Sequence, residues 1–227
     1  MKVLIVEDEN SIREVEAAYL SHSGFEVVEA VDGKEALNTF AHHKFDLVIL
    51  DINLPEINGI TVCKKIRETS NIPIIMVTAR AEDIDELVGF ECGADDYIKK
   101  PFTPSILVAR VTAVLKRISG AKLENEYLAI DPEKMNIKVK QGDESKVVEV
   151  TTTEFNILYT LMKNPGKVFT RYEIIDRAYD NSLDADILER TVDVHIKNLR
   201  KKLNILKNLP EFVITVIGKG YKFNDNL

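Results

Sequence analysis

The chain has 227 residues, 30 Lys and Arg against 37 Asp and Glu, a formal charge of −7, and 45% hydrophobic residues. That composition suits one large or two small folded domains and excludes wholesale disorder. Its apolar runs, such as Val3–Val6, Leu47–Leu50 and Ile74–Val77, fall far short of the roughly 18 residues of a membrane span. The opening ten residues lack the apolar core of an export signal, so a cytoplasmic protein without membrane insertion is expected. Cys63 and Cys92 are too few for a disulfide framework or a four-ligand zinc site and are expected as buried free thiols.

The charge is unevenly spread. Residues 1–120 hold 13 basic and 20 acidic side chains, the whole −7; residues 121–227 hold 17 of each and are neutral. Such asymmetry points to two domains with different tasks, joined near the small residues of Ile118–Lys122.

In chain order, the first half alternates β-rich runs (Val3–Val6, Glu26–Glu29, Leu47–Leu50, Ile74–Val77, Tyr97–Ile98) with segments of helical spacing. Asn10 or Ser11 is the expected cap of the first helix and Asp32 that of the second, while Pro101 is expected to open the last. Five strands alternating with five helices predict a doubly wound α/β fold, a parallel sheet covered on both faces. In such sheets the functional crevice lies at the carboxyl ends of the strands. Those ends deliver Glu7 and Asp8, Asp51, Thr78 and Lys100. Gathered carboxylates repel unless a cation joins them, and a hard divalent ion, Mg²⁺ the commonest, suits oxygen ligands. The set fits phosphoryl transfer, with Asp51 as nucleophile, Glu7 and Asp8 on the metal, and Thr78 and Lys100 on the phosphoryl oxygens.

The second half opens with short alternating runs (Leu128–Ile130, Ile137–Val139, Val147–Val150) that predict a small antiparallel sheet. A helix capped by Thr151 or Thr152 follows and stops at Asn164-Pro165-Gly166. A second helix is expected from about Thr170, then an Asp-rich loop (Asp180, Asp184, Asp186), a third helix over Leu188–Leu203, and a hairpin with strands Val213–Ile217 and Tyr221–Phe223. On the third helix Val192, Ile196, Leu199 and Leu203 form one apolar stripe. Arg190, Asp193, Lys197 and Lys201 fall opposite, beside Asn198, and five bases against two acids make the helix locally +3. A basic outer face after a helix–turn is the pattern of a major-groove reader, and a hairpin with Lys219 at its tip suits an adjoining wing.

Two resemblances follow. Glu7-Asp8-Glu9, Leu50-Asp51-Ile-Asn-Leu-Pro55, Asn58-Gly59, Val77-Thr78-Ala79 and Gly93 through Lys100-Pro101-Phe102 resemble a two-component response-regulator receiver over residues 1–118. That resemblance implies sheet order 2-1-3-4-5 and phosphorylation of Asp51 by a sensor histidine kinase. It also implies Mg²⁺ on Glu7, Asp8, Asp51 and the Asn53 carbonyl, and a switch formed by Thr78 and Tyr97. Thr152-Thr-Glu-Phe155, Glu189 through Ile196, Leu199-Arg-Lys-Lys-Leu203 and Gly218-Lys-Gly-Tyr221 resemble the α+β winged helix-turn-helix effector of the OmpR/PhoB family, over residues 123–227 after a linker at 119–122. It implies double-stranded promoter DNA as partner, with Asp193, Lys197 and Asn198 at base edges. Arg190, Thr191, His195, Arg200 and Lys201 then serve phosphates or mixed roles, and a contact to RNA polymerase is left open.

The resemblance further implies a homodimer on activation, through charges such as Asp96 with Arg110 and Asp95 with Arg117. Departures are Glu86 where a base is usual, Ile106 where an acid is usual, Asn198 in place of a base, and Ile217 in place of Arg before the wing glycine. Rival readings are an aspartyl phosphatase, disfavoured by Asn53 where a second acid would stand, and a constitutive DNA-binding protein. The expectation is a phosphorylation-controlled transcriptional regulator, not an enzyme.

Overall fold

The computed structural model describes residues 1–79, 92–115, 120–179 and 185–227, leaving aside the side chains of 178–179 and 185–190. Two compact units, Met1–Leu115 and Lys116–Leu227, each enclose their own core. The segment expected to hold a further helix of the first unit, with Glu86, lies outside the described residues, as do Arg117, Asp180 and Asp184.

The first unit is a five-stranded parallel sheet of order β2-β1-β3-β4-β5, with β1 Lys2–Val6, β2 Glu26–Ala30, β3 Leu47–Asp51, β4 Ile74–Thr78 and β5 Asp96–Lys99. Strands β3 and β4 are buried along their whole length, as central parallel strands with both faces covered must be. Helices α1 (Asn10–His22), α2 (Gly33–His42), α3 (Gly59–Arg67) and α4 (Pro104–Leu115) complete the described part. Asp32 caps α2, accepting from the amides of Lys34 and Glu35 at 2.8 Å. The first helix departs from expectation. Its cap position is Glu9, and the Asn10 and Ser11 side chains turn instead to Glu14 and Glu9. Pro101 follows a cis peptide and precedes α4, which begins at Pro104, not at Pro101.

The second unit starts with an antiparallel sheet of β6 (Leu123–Glu124), β7 (Leu128–Asp131), β8 (Asn136–Gln141) and β9 (Glu144–Val148) in sequential order. Helix α5 (Thr152–Met162) is buried along almost its whole length and is the centre of this core. Thr151 opens it with a capping box: its hydroxyl accepts from the Glu154 amide, and the Glu154 carboxylate accepts from the Thr151 amide. Helices α6 (Arg171–Tyr179) and α7 (Ala185–Leu203) and the hairpin β10 (Val213–Val216) and β11 (Gly220–Phe223) follow. Tyr221 and Phe169 bridge the hairpin to the start of α6. Gly220, at φ 141°, is required there, because a Cβ would collide with the Phe169 carbonyl.

Candidate acidic site and the outer face of helix α7

The sheet order reverses between β1 and β3, and the acidic residues flank that point. Val6 pairs with Leu50 and Asp51 with Val77, so Glu7, Asp51 and Thr78 emerge at one level of the sheet. Ligand oxygens of Glu7, Asp8 and Asp51 lie within 4.8 Å of one another. Lys100 closes the group, its ammonium donating to Glu7 at 2.6 Å and to Asp51 at 2.5 Å. Burial pushes the Glu7 carboxyl up to about 7 against the pull of Lys100, and the neighbouring Asp51 adds to the rise. Burial opposes the charge of Lys100, but its hydrogen bonds to Asp51 and Glu7 outweigh it and raise its pKa. Three close hard-oxygen donors, one held reluctantly ionised, are a donor set that fits a divalent cation such as Mg²⁺.

The loop carrying the site is braced by two features. The Asn53 amide donates to Asp51 Oδ1 at 2.8 Å. Gly59 lets α3 start hard against β3, where a Cβ would strike the Asp51 carbonyl. Sequence reasoning missed a third brace, Arg13. It lies buried on α1 and donates to the Glu7 carbonyl at 2.8 Å and to Glu29 at 3.1 Å. Also missed was Glu16, 2% exposed, with neither carboxylate oxygen hydrogen-bonded. Burial, then the Glu7 charge, pushes it up to about 8. It borders an open cavity of about 560 Å³ between α1 and the Lys100–Pro104 turn. The only signal for either was a charge at a position where α1 should be apolar.

Thr78 is fully buried at the end of β4, and Tyr97 is buried on β5 with its hydroxyl 3.9 Å from Cys92 Sγ. The expected dimer charges are placed differently from the sequence reading. Asp96 is 0% exposed and takes both of its oxygens to Arg110 of the same chain, at 2.9 and 3.1 Å. Asp95, also 0% exposed, is held by Arg67 at 2.7 Å and by the Ile74 amide at 3.0 Å. A carboxylate so buried needs a partner, and in this chain Arg110 and Arg67 supply it from within the fold. Ile106 is exposed on α4.

In the second unit the apolar stripe of α7 is buried as expected. Asp193, Lys197 and Lys201 are exposed on the opposite side and Asn198 half-exposed beside them, while the Arg190 side chain lies outside the described residues. Thr191 and His195, at 0% and 4% exposure, are not brought to that face. Helix α7 packs on both α5 and α6, so its buried arc is wider than one stripe. Two further expected contacts are engaged internally. Asp193 accepts from Arg171 at 2.6 and 3.1 Å and from the Tyr221 hydroxyl at 2.7 Å. Arg200 donates to the Val213 carbonyl at 2.6 Å, to the Thr215 hydroxyl at 2.8 Å, and pairs with Glu211 at 3.1 Å. Both therefore tie α7 to the hairpin. Lys219 is exposed at the hairpin tip beside Ile217, which is 93% exposed.

Comparison with known proteins agrees with both halves. Residues 3–112 match the response regulator receiver domain, and residues 144–223 match the C-terminal domain of transcriptional regulatory proteins. An uncharacterised transcriptional regulatory protein of Bacillus subtilis, YclJ, is 41% identical over the full length of both chains. The sensory transduction protein RegX3 of Mycobacterium tuberculosis is 41% identical over 97% of each. Among solved structures, the response regulator DrrB, an OmpR/PhoB homologue of Thermotoga maritima, is 33% identical over 98% of each chain with a TM-score of 0.52. A mutant of RitR is 27% identical over 99% with a TM-score of 0.71. The acidic crevice and the winged helix thus come together in one chain that belongs to the response regulators of the OmpR/PhoB type, transcriptional regulators joining a receiver to a DNA-binding domain.

Proposed function

We propose that Asp51 is the phosphoryl acceptor, taking the group from a phosphohistidine of a sensor histidine kinase. An Asp51 carboxylate oxygen attacks phosphorus, the P–N bond breaks, the imidazole leaves as a protonated ring, and an acyl phosphate remains. The observation that carries this reading is Asp51 at the end of β3, within hydrogen-bond reach of Lys100 and flanked by Glu7 and Asp8. Glu7, Asp8, Asp51 and the Asn53 carbonyl would hold Mg²⁺, which when bound offsets charge on the phosphoryl oxygens. Lys100 supplies a second positive charge to the same oxygens, exchanging its contact with Asp51 for one with the phosphoryl group. Thr78 and Tyr97 form the switch, the hydroxyl turning to the new dianion and the ring taking the space it leaves.

On this reading residues 1–118 are the phosphoacceptor domain, 119–122 a linker and 123–227 the effector. The phosphorylated chain forms a homodimer that sets two winged helices on repeated half-sites of promoter DNA, in the cytoplasm, where RNA polymerase is a further partner. Lys197, Asn198, Lys201 and Lys219 are the DNA-facing residues. Asn53 leaves no general acid two residues beyond the nucleophile, which supports a slow switch rather than a turnover enzyme. Acetyl phosphate with Mg²⁺ should label the wild type and raise its DNA affinity, mainly by linking two binding sites. Asp51→Ala should lose both effects; labelling that survives in Asp51→Ala would overturn the assignment.

A further inference from the structure

Cys63 and Cys92 are the only cysteines of the chain, and neither belongs to the site described above. They come from distant segments, α3 and the turn before β5, yet are buried against each other. The Cys63 thiol donates to the Cys92 carbonyl at 3.4 Å. One helical turn further on, Arg67 donates to the Gly93 carbonyl at 2.8 Å and to Asp95 at 2.7 Å. Consecutive residues 92 and 93 are therefore fastened to positions 63 and 67 of one helix, which holds the two sulfur atoms in register. Cys92 Sγ in turn lies 3.9 Å from the hydroxyl of Tyr97.

We propose that Cys63 and Cys92 are an oxidisable dithiol that closes to an intrachain disulfide with a hydroperoxide, and that closure changes the hydroxyl partner of Tyr97. The two sulfurs are chemically unequal. The neighbouring Cys63 brings the Cys92 thiol down to about 7 against the effect of burial, whereas the neighbouring Cys92 and burial hold Cys63 well above the ordinary thiol range. Cys92, at 3% exposure against 0% for Cys63, is also the sulfur nearer the surface, and it is accordingly the attacking thiol and Cys63 the resolving one. The Cys92 sulfur attacks the peroxide, an S–O bond forms, the O–O bond breaks, and the departing hydroxide leaves as water with one proton. Cys63 then attacks that sulfur, the S–S bond forms, the S–O bond breaks, and hydroxide takes the Cys63 proton as a second water. Two thiols lose two protons and two electrons, and the peroxide is reduced to two waters. Hydrogen peroxide is close to water in size, which suits a pair this deeply placed.

In the disulfide, Cys92 no longer offers a thiol to the phenol. Tyr97 sits in the middle of β5, so the receiver gains a redox input at a ring that the switch reading already makes sensitive to phosphorylation. The dithiol itself does not rest on that reading.

The test uses the full-length protein, freed of reductant and treated with hydrogen peroxide. Peptide mapping without reduction should show residues 63 and 92 linked within one chain and both thiols lost. In Cys63→Ser, dimedone should trap a sulfenic acid on Cys92, while Cys92→Ser should give no adduct at Cys63. Ring-labelled tyrosine NMR should show the Tyr97 resonances moving on oxidation of the wild type and staying in place in Cys92→Ser. A link only between chains, both thiols intact at a dose that oxidises free cysteine, or an unmoved Tyr97 in the linked protein would each overturn the proposal. The wild-type map and spectrum stand even where a serine variant fails to fold.

Discussion

Glu16 stands on the inner face of α1 with Arg13 and Leu20, and unlike Arg13 it has no hydrogen-bond partner among the described residues. A buried unsatisfied polar group costs about 1–3 kcal/mol. Glu16→Leu should therefore raise the stability of the chain by about 1–3 kcal/mol at neutral pH, read from urea midpoints with an unchanged slope. The pH dependence fixes the cause. The folded-state carboxyl is pushed up to about 8 from an ordinary 4.5, so the native chain keeps a proton that the unfolded chain releases between those values. Wild-type stability must then fall as pH climbs through this window, and the advantage of Glu16→Leu must widen from pH 5 to pH 8. Glu7, raised to about 7, contributes in the same window, which is why the difference between the two proteins is the quantity to follow. An advantage that shrinks with rising pH would refute this account.

At the scale of elements, α7, the recognition helix of the proposal above, is clamped at Asp193 and Arg200. Asp193 is shared between Arg171 of α6 and Tyr221 of β11, Arg200 holds β10, and the Arg171 and Arg200 guanidiniums stack within 5.3 and 5.8 Å of the Tyr221 ring. The clamp ties the helix to the wing, and among the described residues Lys197, Asn198 and Lys201 stand exposed or half-exposed beside Asp193. Asn pairs bidentately with adenine and Arg with guanine. Asn198→Arg should move the preferred base in each half-site from adenine to guanine, a discrimination of about 1–3 kcal/mol, in DNA selection with the phosphorylated chain. An unaltered consensus would remove Asn198 from the interface.

The elements also show what sequence can and cannot disclose. Continuous apolar runs made β3 and β4 legible, and a threonine cap with an Asn-Pro-Gly stop made α5 legible. The two-residue β6 carries too little pattern, and β9, expected at Val147–Val150, lies at Glu144–Val148 because its exposed polar start hides where it begins. The acidic crevice was legible because parallel topology brings strand ends together. The burial of Asp95, Asp96, Thr191 and His195 was not, because it depends on neighbours such as Arg67 and α5 that lie tens of residues away.

For the molecule as a whole, net charge is a poor guide until it is divided. Residues 1–120 carry all of the −7, and residues 121–227 are neutral. DNA binding must then rest on a local arrangement, the basic outer side of α7 and the wing tip, rather than on a general attraction. The salt dependence of binding counts phosphates neutralised, with a slope of about −0.9 for each. With Lys197, Lys201 and Lys219 as the exposed cations of that face among the described residues, residues 121–227 alone should show a slope of roughly −3, far shallower than a strongly basic domain. The full unphosphorylated chain should bind more weakly than this fragment at low salt, because the acidic unit repels the duplex. That difference should fade near 0.15 M salt, where the Debye length is about 8 Å. A steep slope in the fragment, or a difference that persists at high salt, would show that the units interact by contact and not through their charge.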